Sequence, residues 1–164
     1  MKEKKITIRI RQYTREELDE ESRHLLGEAD KAAKSAYAPY SAFRVGAALL
    51  LENGKIITGN NQENAAYPSG LCAERVAVFY AGAQYPDVAI TALALTARTP
   101  AGITGEPAYP CGACRQVLLE SESRSGKPIR IIMAGKDTVD VVDSVKDLLP
   151  KNFDKRFLEG SSRQ

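Results

Sequence analysis

Three cysteines, Cys72, Cys111 and Cys114, are the whole thiol complement of the chain. All three fall in two short motifs, Cys72-Ala73-Glu74 and Pro110-Cys111-Gly112-Ala113-Cys114. Three thiolates give a zinc ion three ligands and leave a fourth position open to water, whereas a structural zinc site closes that position with another Cys or His. No fourth cysteine exists, and the only histidine, His24, lies far upstream in a charged stretch. Glu74, two residues past Cys72, sits beside the metal rather than on it, where a carboxylate takes and passes on a proton. A glutamate in a first helical turn also serves the helix dipole; the downstream Cys-x-x-Cys decides for the proton carrier. The pattern points to metal-assisted hydrolysis.

Cys111 and Cys114, three apart at a helix start, project from one side of the first turn. Cys72 opens another helix. Two helix N-termini aimed at one metal supply positive ends and free backbone N–H groups that favour thiolates. Three thiolates on a divalent ion leave a formal charge of about −1, which weakens its hold on water unless donors drain that charge. Arg75 and Arg115, each directly after a motif, are placed to donate hydrogen bonds to sulfur.

The elements that must position these groups are legible as hydrophobic periods. Ile6 to Arg11 alternates with period two and predicts a short edge strand. Thr14 and Glu17 form a capping box ahead of Leu18, Leu25, Leu26, Ala29 and Ala33, a helix running to about Tyr37 and stopping before Pro39. Phe43 to Leu51 and Lys55 to Gly59 read as a hairpin turning at Asn53-Gly54. Residues 60–71 are a polar loop, followed by a helix from Cys72 with Val76, Phe79, Tyr80 and Ala83 expected inward. Ala89 to Ala97 is an apolar run typical of a strand covered on both faces. Thr99 to Pro110 is a loop, and a helix runs from Cys111 to about Gly126. Ile129 to Met133 and Val139 to Val142 are strands, with a helical turn at Val145 to Leu149. The fold class is α/β, a three-layer α/β/α arrangement with a mixed sheet of about five strands and helices on both faces.

With 164 residues and a 43% hydrophobic share, the chain suits one core. The expected organisation is an N-terminal extension over 1–14, one domain over 15–158 and a flexible tail over 159–164. Twenty-three basic and 21 acidic residues, a net charge of +2, are too balanced for a phosphate-backbone groove; the substrate is small. No apolar run spans a bilayer, the charged start Met1-Lys2-Glu3-Lys4-Lys5 leading into an alternating stretch is not the pattern expected of a signal peptide, and an odd cysteine count at metal spacing fits a reducing compartment. The expected location is cytoplasmic, with neither nucleic acid nor membrane as partner.

The motifs resemble those of the free-nucleoside cytidine deaminases. Residues 36–48, from Ala36-Tyr37-Ala38-Pro39-Tyr40 to Gly46-Ala47-Ala48, are similar to the family's opening motif. Gly59-Asn60-Asn61-Gln62-Glu63-Asn64-Ala65-Ala66-Tyr67, Cys72-Ala73-Glu74-Arg75, Pro110-Cys111-Gly112-Ala113-Cys114-Arg115-Gln116 and Leu148-Leu149-Pro150-Lys151-Asn152-Phe153 follow in the family's order. The resemblance covers roughly residues 15–153 and implies the small homotetrameric, all-cysteine type, with one zinc per subunit on Cys72, Cys111 and Cys114. It implies attack of a zinc-activated water on C4 of cytidine or deoxycytidine, with Glu74 carrying protons and ammonia leaving, as in pyrimidine salvage. It further implies Asn61 and Glu63 on the ribose 3′-hydroxyl and Phe43 against the base, and Ala65, Tyr67 and Phe153 reaching a neighbouring subunit's site. The residues before about Thr14 and the stretch Gly105-Glu106-Pro107-Ala108-Tyr109 depart from the family pattern. Rival readings are a deaminase of another cytosine nucleoside such as blasticidin S, an inactive zinc-binding protein, and a nucleic-acid-editing enzyme. Asn61 and Glu63 speak against the first, Glu74 and the open fourth position against the second, the charge balance against the third.

Overall fold

The computed structural model describes residues 1–159; of the expected tail, residues 160–164 lie outside the described residues. The elements are β1 (Arg11–Tyr13), α1 (Glu20–Lys34), β2 (Arg44–Leu51), β3 (Ile56–Asn60), α2 (Ala73–Gln84), β4 (Ile90–Thr99), β5 (Gly102–Ile103), α3 (Gly112–Ser125), β6 (Arg130–Ala134), β7 (Val139–Val142) and α4 (Arg156–Glu159). Single 3-10 turns occur at Tyr67–Ser69 and Val145–Leu148. The strands form one sheet in the order β1-β7-β6-β4-β2-β3, with β5 folded back on β4. Only β4 and β6 pair in parallel among these described strands. That gives seven strands where the sequence predicts about five, because two- and three-residue strands carry almost no periodic signal.

Period-two side chains divide the core between the two faces. Ala47, Leu49 and Leu51 of β2, Leu93 and Leu95 of β4, and Ile131 and Met133 of β6 pack on α2 and α3. Their neighbours Ala48, Ala92, Ala94, Ile132 and Ala134 pack with Leu25, Leu26 and Ala29 of α1. Truncating one such residue, Leu95→Ala for instance (1% exposed), is expected to cost about 2–5 kcal/mol through lost burial and the cavity left. Both faces rely on close approach of backbone. A Cβ at Gly46 would stand 2.0 Å from the Ala29 carbonyl oxygen of α1, and one at Gly59 would stand 2.5 Å from that of Ala73 in α2.

That second approach corrects the expected inner face of α2. Ala73, Glu74, Ala77, Val78 and Ala81 are buried, whereas Phe79 and Tyr80 are half exposed and Ala83 is exposed. Small residues four apart let the helix lie against Gly59, so the bulky side chains turn outward.

The N-terminal strand is likewise displaced from the expected Ile6–Arg11 to Arg11–Tyr13, which pairs antiparallel with Val139–Val141. The neighbouring strand ends at Val142, so Ile6 and Ile8 lie past its end, and they stay exposed together with Ile10. The Glu17 carboxylate does bond the Thr14 N–H, as in a capping box, but α1 begins later. Its cap is Asp19, whose carboxylate accepts from Ser22 N–H at 2.7 Å. The helix ends at Lys34 rather than near Tyr37. The hairpin turns as the Asn53-Gly54 pair requires, with Gly54 at φ 80° and the Asn53 side chain accepting from Lys55 N–H. Among the described residues no helix is long and apolar enough to cross a membrane.

Candidate active site

Two helix starts build the metal end. Cys72 is the N-cap residue of α2 and Cys111 that of α3, both with extended backbone and neither making a side-chain cap bond. Their sulfurs are thus free to turn toward one another, Cys72 half-buried and Cys111 exposed, and the buried Cys114 joins them from the first turn of α3. The Sγ–Sγ distances are 3.9 Å for Cys72–Cys111 and 3.4 Å for Cys111–Cys114, and the three sulfurs lie within 4.8 Å of one another. Tetrahedral zinc with Zn–S bonds of about 2.3 Å separates its sulfurs by about 3.8 Å, so the cluster fits one zinc ion.

Electrostatics at the cluster favour a thiolate. A hydrogen bond from the Cys114 thiol and the Arg75 guanidinium, whose Nη2 lies 3.8 Å from the Cys72 sulfur, bring Cys72 down to about 5. Cys114, which holds its proton to donate it, is pushed up by that bond and by burial. The Arg75 Nε is buried with no acceptor among the described residues, beside the cluster its guanidinium reaches. Glu74 is 4% exposed; burial first, then the neighbouring Cys72 thiolate, raises its carboxyl to about 6. A group that holds a proton near neutrality and can also release it is suited to proton transfer. Arg115 behaves differently from the expectation. It donates to the Pro110 carbonyl at 2.7 Å and to the Leu148 carbonyl at 2.8 Å, fastening the second motif to the C-terminal segment instead of bonding sulfur.

Of the residues expected at the substrate, Asn61, Glu63, Ala65 and Tyr67 lie on the loop between β3 and α2, Phe43 just before β2 and Phe153 in the segment before α4. Gln62 and Leu71 pair across a bridge just before Cys72, closing the loop 63–70, and Tyr37 pairs with Gln62. Asn61 accepts from Val45 N–H at 2.7 Å and donates to the Phe43 carbonyl at 2.9 Å. The Glu63 carboxylate accepts from the N–H groups of Tyr40 and Ser41 and from the Ser41 hydroxyl, and these bonds lower it. Both side chains thus brace the turn 38–43, where Ala42 sits at φ 55° and Phe43 is 39% exposed. Ala65 is exposed, Tyr67 is 91% exposed and Phe153 57%. Phe153 stacks on Phe157 at 5.4 Å and accepts from Gln116 through its carbonyl.

Sequence reading passed over the partners of the 104–110 loop. Tyr109 donates its hydroxyl to Asp140, a buried carboxylate of β7 that also accepts from Gln12 of β1 at 3.0 Å. The signal was a lone acid inside the run Val139-Asp140-Val141-Val142, since a carboxylate in a covered strand needs donors.

The chain matches the family model for the zinc-binding region of cytidine and deoxycytidylate deaminases over residues 19–126. A cytidine deaminase of Sporosarcina psychrophila is 41% identical over 140 residues, 85% of this chain and 96% of that protein. One of Halalkalibacterium halodurans is 48% identical over 98 residues, 58% of this chain and 68% of that protein. The crystal structure of cytidine deaminase from Burkholderia pseudomallei superposes with a TM-score of 0.67 at 41% identity, covering 79% of this chain and 97% of that one. With the three cysteines gathered beside a buried glutamate and these likenesses over most of its length, the chain belongs to the cytidine and deoxycytidylate deaminase family.

Proposed function

We propose that the protein hydrolyses free cytidine and deoxycytidine to uridine and deoxyuridine, releasing ammonia. The observation that carries this reading is the spacing of the Cys72, Cys111 and Cys114 sulfurs beside the buried carboxyl of Glu74. Zinc, one ion per subunit, supplies there an activated water for C4 of the pyrimidine. The chain's residues do the rest. The Glu74 carboxylate accepts the water's proton and delivers it to N3, then carries a second proton to the departing amino group, so that water in and ammonia out balance. Burial, by holding its carboxyl near neutrality, suits it to both transfers. Arg75 draws negative charge from the Cys72 thiolate, which strengthens the metal's pull on water.

Phe43 offers an apolar face to the base, and Asn61 and Glu63 receive the sugar's 3′-hydroxyl. The Glu63 carboxylate has acceptor capacity beyond the bonds to Tyr40 and Ser41. The exposure of Tyr67 and Phe153, the first on the loop leading to Cys72 and the second held through its carbonyl by Gln116 beside the second motif, supports a homotetramer in which these two residues and Ala65 complete a neighbour's site. The half-exposed Phe79 and Tyr80 of α2 are apolar surface available for that assembly. Residues 15–158 are then the deaminase domain, acting on a small nucleoside in the cytoplasm. Ammonia release from cytidine by the zinc-loaded protein at neutral pH tests the reading. Turnover is expected, and none from zinc-loaded tetrameric protein would overturn it and direct the assay to other cytosine nucleosides such as blasticidin S.

A further inference from the structure

The N-terminal extension and the stretch Gly105-Glu106-Pro107-Ala108-Tyr109 take no part in the proposed reaction, yet they meet on β7. Gln12 of β1 donates its side-chain amide to one Asp140 oxygen at 3.0 Å, and the Tyr109 hydroxyl donates to the other. Asp140 is 6% exposed. Its strand neighbours Val139 and Val141 face α1, so by alternation Asp140 points to the opposite face, the side of α3 and the metal motif. The loop carrying Tyr109 is pressed closely onto the β6–β7 turn: a Cβ at Gly135 would stand 2.5 Å from the Gly105 carbonyl oxygen and 2.8 Å from the Glu106 carbonyl carbon. Lys136 N–H bonds the Thr104 carbonyl at 2.8 Å. Arg15 holds the same turn from the N-terminal side, donating to the Gly135 carbonyl at 3.1 Å while paired with Asp30.

We infer that Asp140 is a positioning residue for the metal end: by clasping Tyr109 to Gln12 it fixes the loop that leads into Pro110-Cys111, so that the N-terminal strand helps to set the place of Cys111. Only Pro110 separates Tyr109 from Cys111, and Pro110 is itself held, buried and accepting from Arg115. A displacement at Tyr109 therefore has little slack in which to die out before the ligand. A buried carboxylate deprived of either donor loses a bond that water cannot fully replace, which keeps the clasp closed. Groups hydrogen-bonded directly to a metal ligand typically change metal affinity about 10- to 100-fold when altered, and a clasp acting through the backbone beside Cys111 is expected at the lower end of that range. The family match begins at residue 19 and ends at 126, so Gln12 and Asp140 both lie outside it while Tyr109 lies within.

The inference rests on Cys111 holding zinc, and its test reads metal retention and loop motion. Full-length, zinc-loaded wild type, Tyr109→Phe, Gln12→Ala and the double variant are mixed with excess chromophoric chelator, and zinc transfer is timed. Amide exchange over residues 104–110 is measured on the same samples. Tyr109→Phe should release zinc about 10-fold faster, and Gln12→Ala should shift the rate the same way by less. The double variant should fall short of the product of the two, because both act through one carboxylate. Exchange should quicken over 104–110 and stay unchanged in β2 and β4. Unchanged zinc release overturns the inference, whether or not the loop loosens. Faster exchange across β2 and β4 as well overturns it too, since the clasp would then be a general staple. Wild type that takes up no zinc would bring down the site reading itself, and the inference with it.

Discussion

The metal end and the aromatic rim of this molecule are built to different standards of completeness. At the metal end every chemical group is fixed by its own chain: two helix starts present the cysteines, the α2 backbone buries Glu74, and Arg75 reaches the Cys72 sulfur. At the rim, Tyr67 and Phe153 stand in solvent, and Asn61 and Glu63 are engaged in bracing the turn 38–43. Bond-breaking groups need fixed positions relative to one another, which short motifs on rigid helices supply. Enclosing a substrate needs surface on several sides, and under the proposed function the exposed Tyr67 and Phe153 would supply part of it only in an assembly of chains.

The contrast predicts separable failures. Cys111→Ala should abolish both zinc retention and turnover, read by metal analysis and ammonia release; full zinc occupancy in that variant would contradict the cluster. Tyr67→Ala and Phe153→Ala should keep zinc and the fold yet lose turnover about 10-fold, the scale on which aromatic contacts at assembly surfaces matter. Equal activity in diluted, dissociated protein would show that the rim is complete within one chain. Glu63→Ala should raise KM for cytidine about 10-fold, as loss of a charge-assisted hydrogen bond does, with a smaller change in kcat. An unchanged KM would leave Glu63 as a loop brace only.

The smallest effect belongs to the opposite face. Asp19 caps α1 and bonds Arg130, contacts that lower its carboxyl to about 2 from an ordinary 3.8. A lowered folded-state value means that its contribution is complete above the ordinary carboxylate range and fades as pH falls from about 4 toward 2. Asp19→Ala should therefore cost about 1 kcal/mol at pH 7 by denaturant unfolding, converge with wild type as pH falls below about 2, and leave kcat unchanged.

Much of the metal end was legible because its chemistry is local in sequence. Two motifs singled out the three cysteines that cluster and the buried Glu74, and the turn and helix signals placed them on helix starts. Arg115 was misplaced because its position beside Cys114 says nothing of the Leu148 carbonyl, which is brought to it by the fold. The face of α2 was misread because hydrophobic bulk at Phe79 and Tyr80 outweighed the small residues that a neighbouring Gly59 demands. The extension was read as Ile6–Arg11 on correct alternation, yet strand length is set by the partner, and β7 ends at Val142. The four-residue helix α4 and the two-residue β5 are too short for a period to register. The Asp140 contacts join residues more than 100 positions apart in one case, where local pattern carries only the hint of an acid among valines.

The most direct test of the account is Glu74→Gln, which keeps shape and removes the exchangeable carboxyl. Bound zinc and ammonia release from cytidine are measured on the same preparation. Zinc should be retained at one ion per chain and turnover should fall at least about 100-fold, the contribution typical of a positioned proton carrier. Near wild-type turnover with zinc in place would contradict that role.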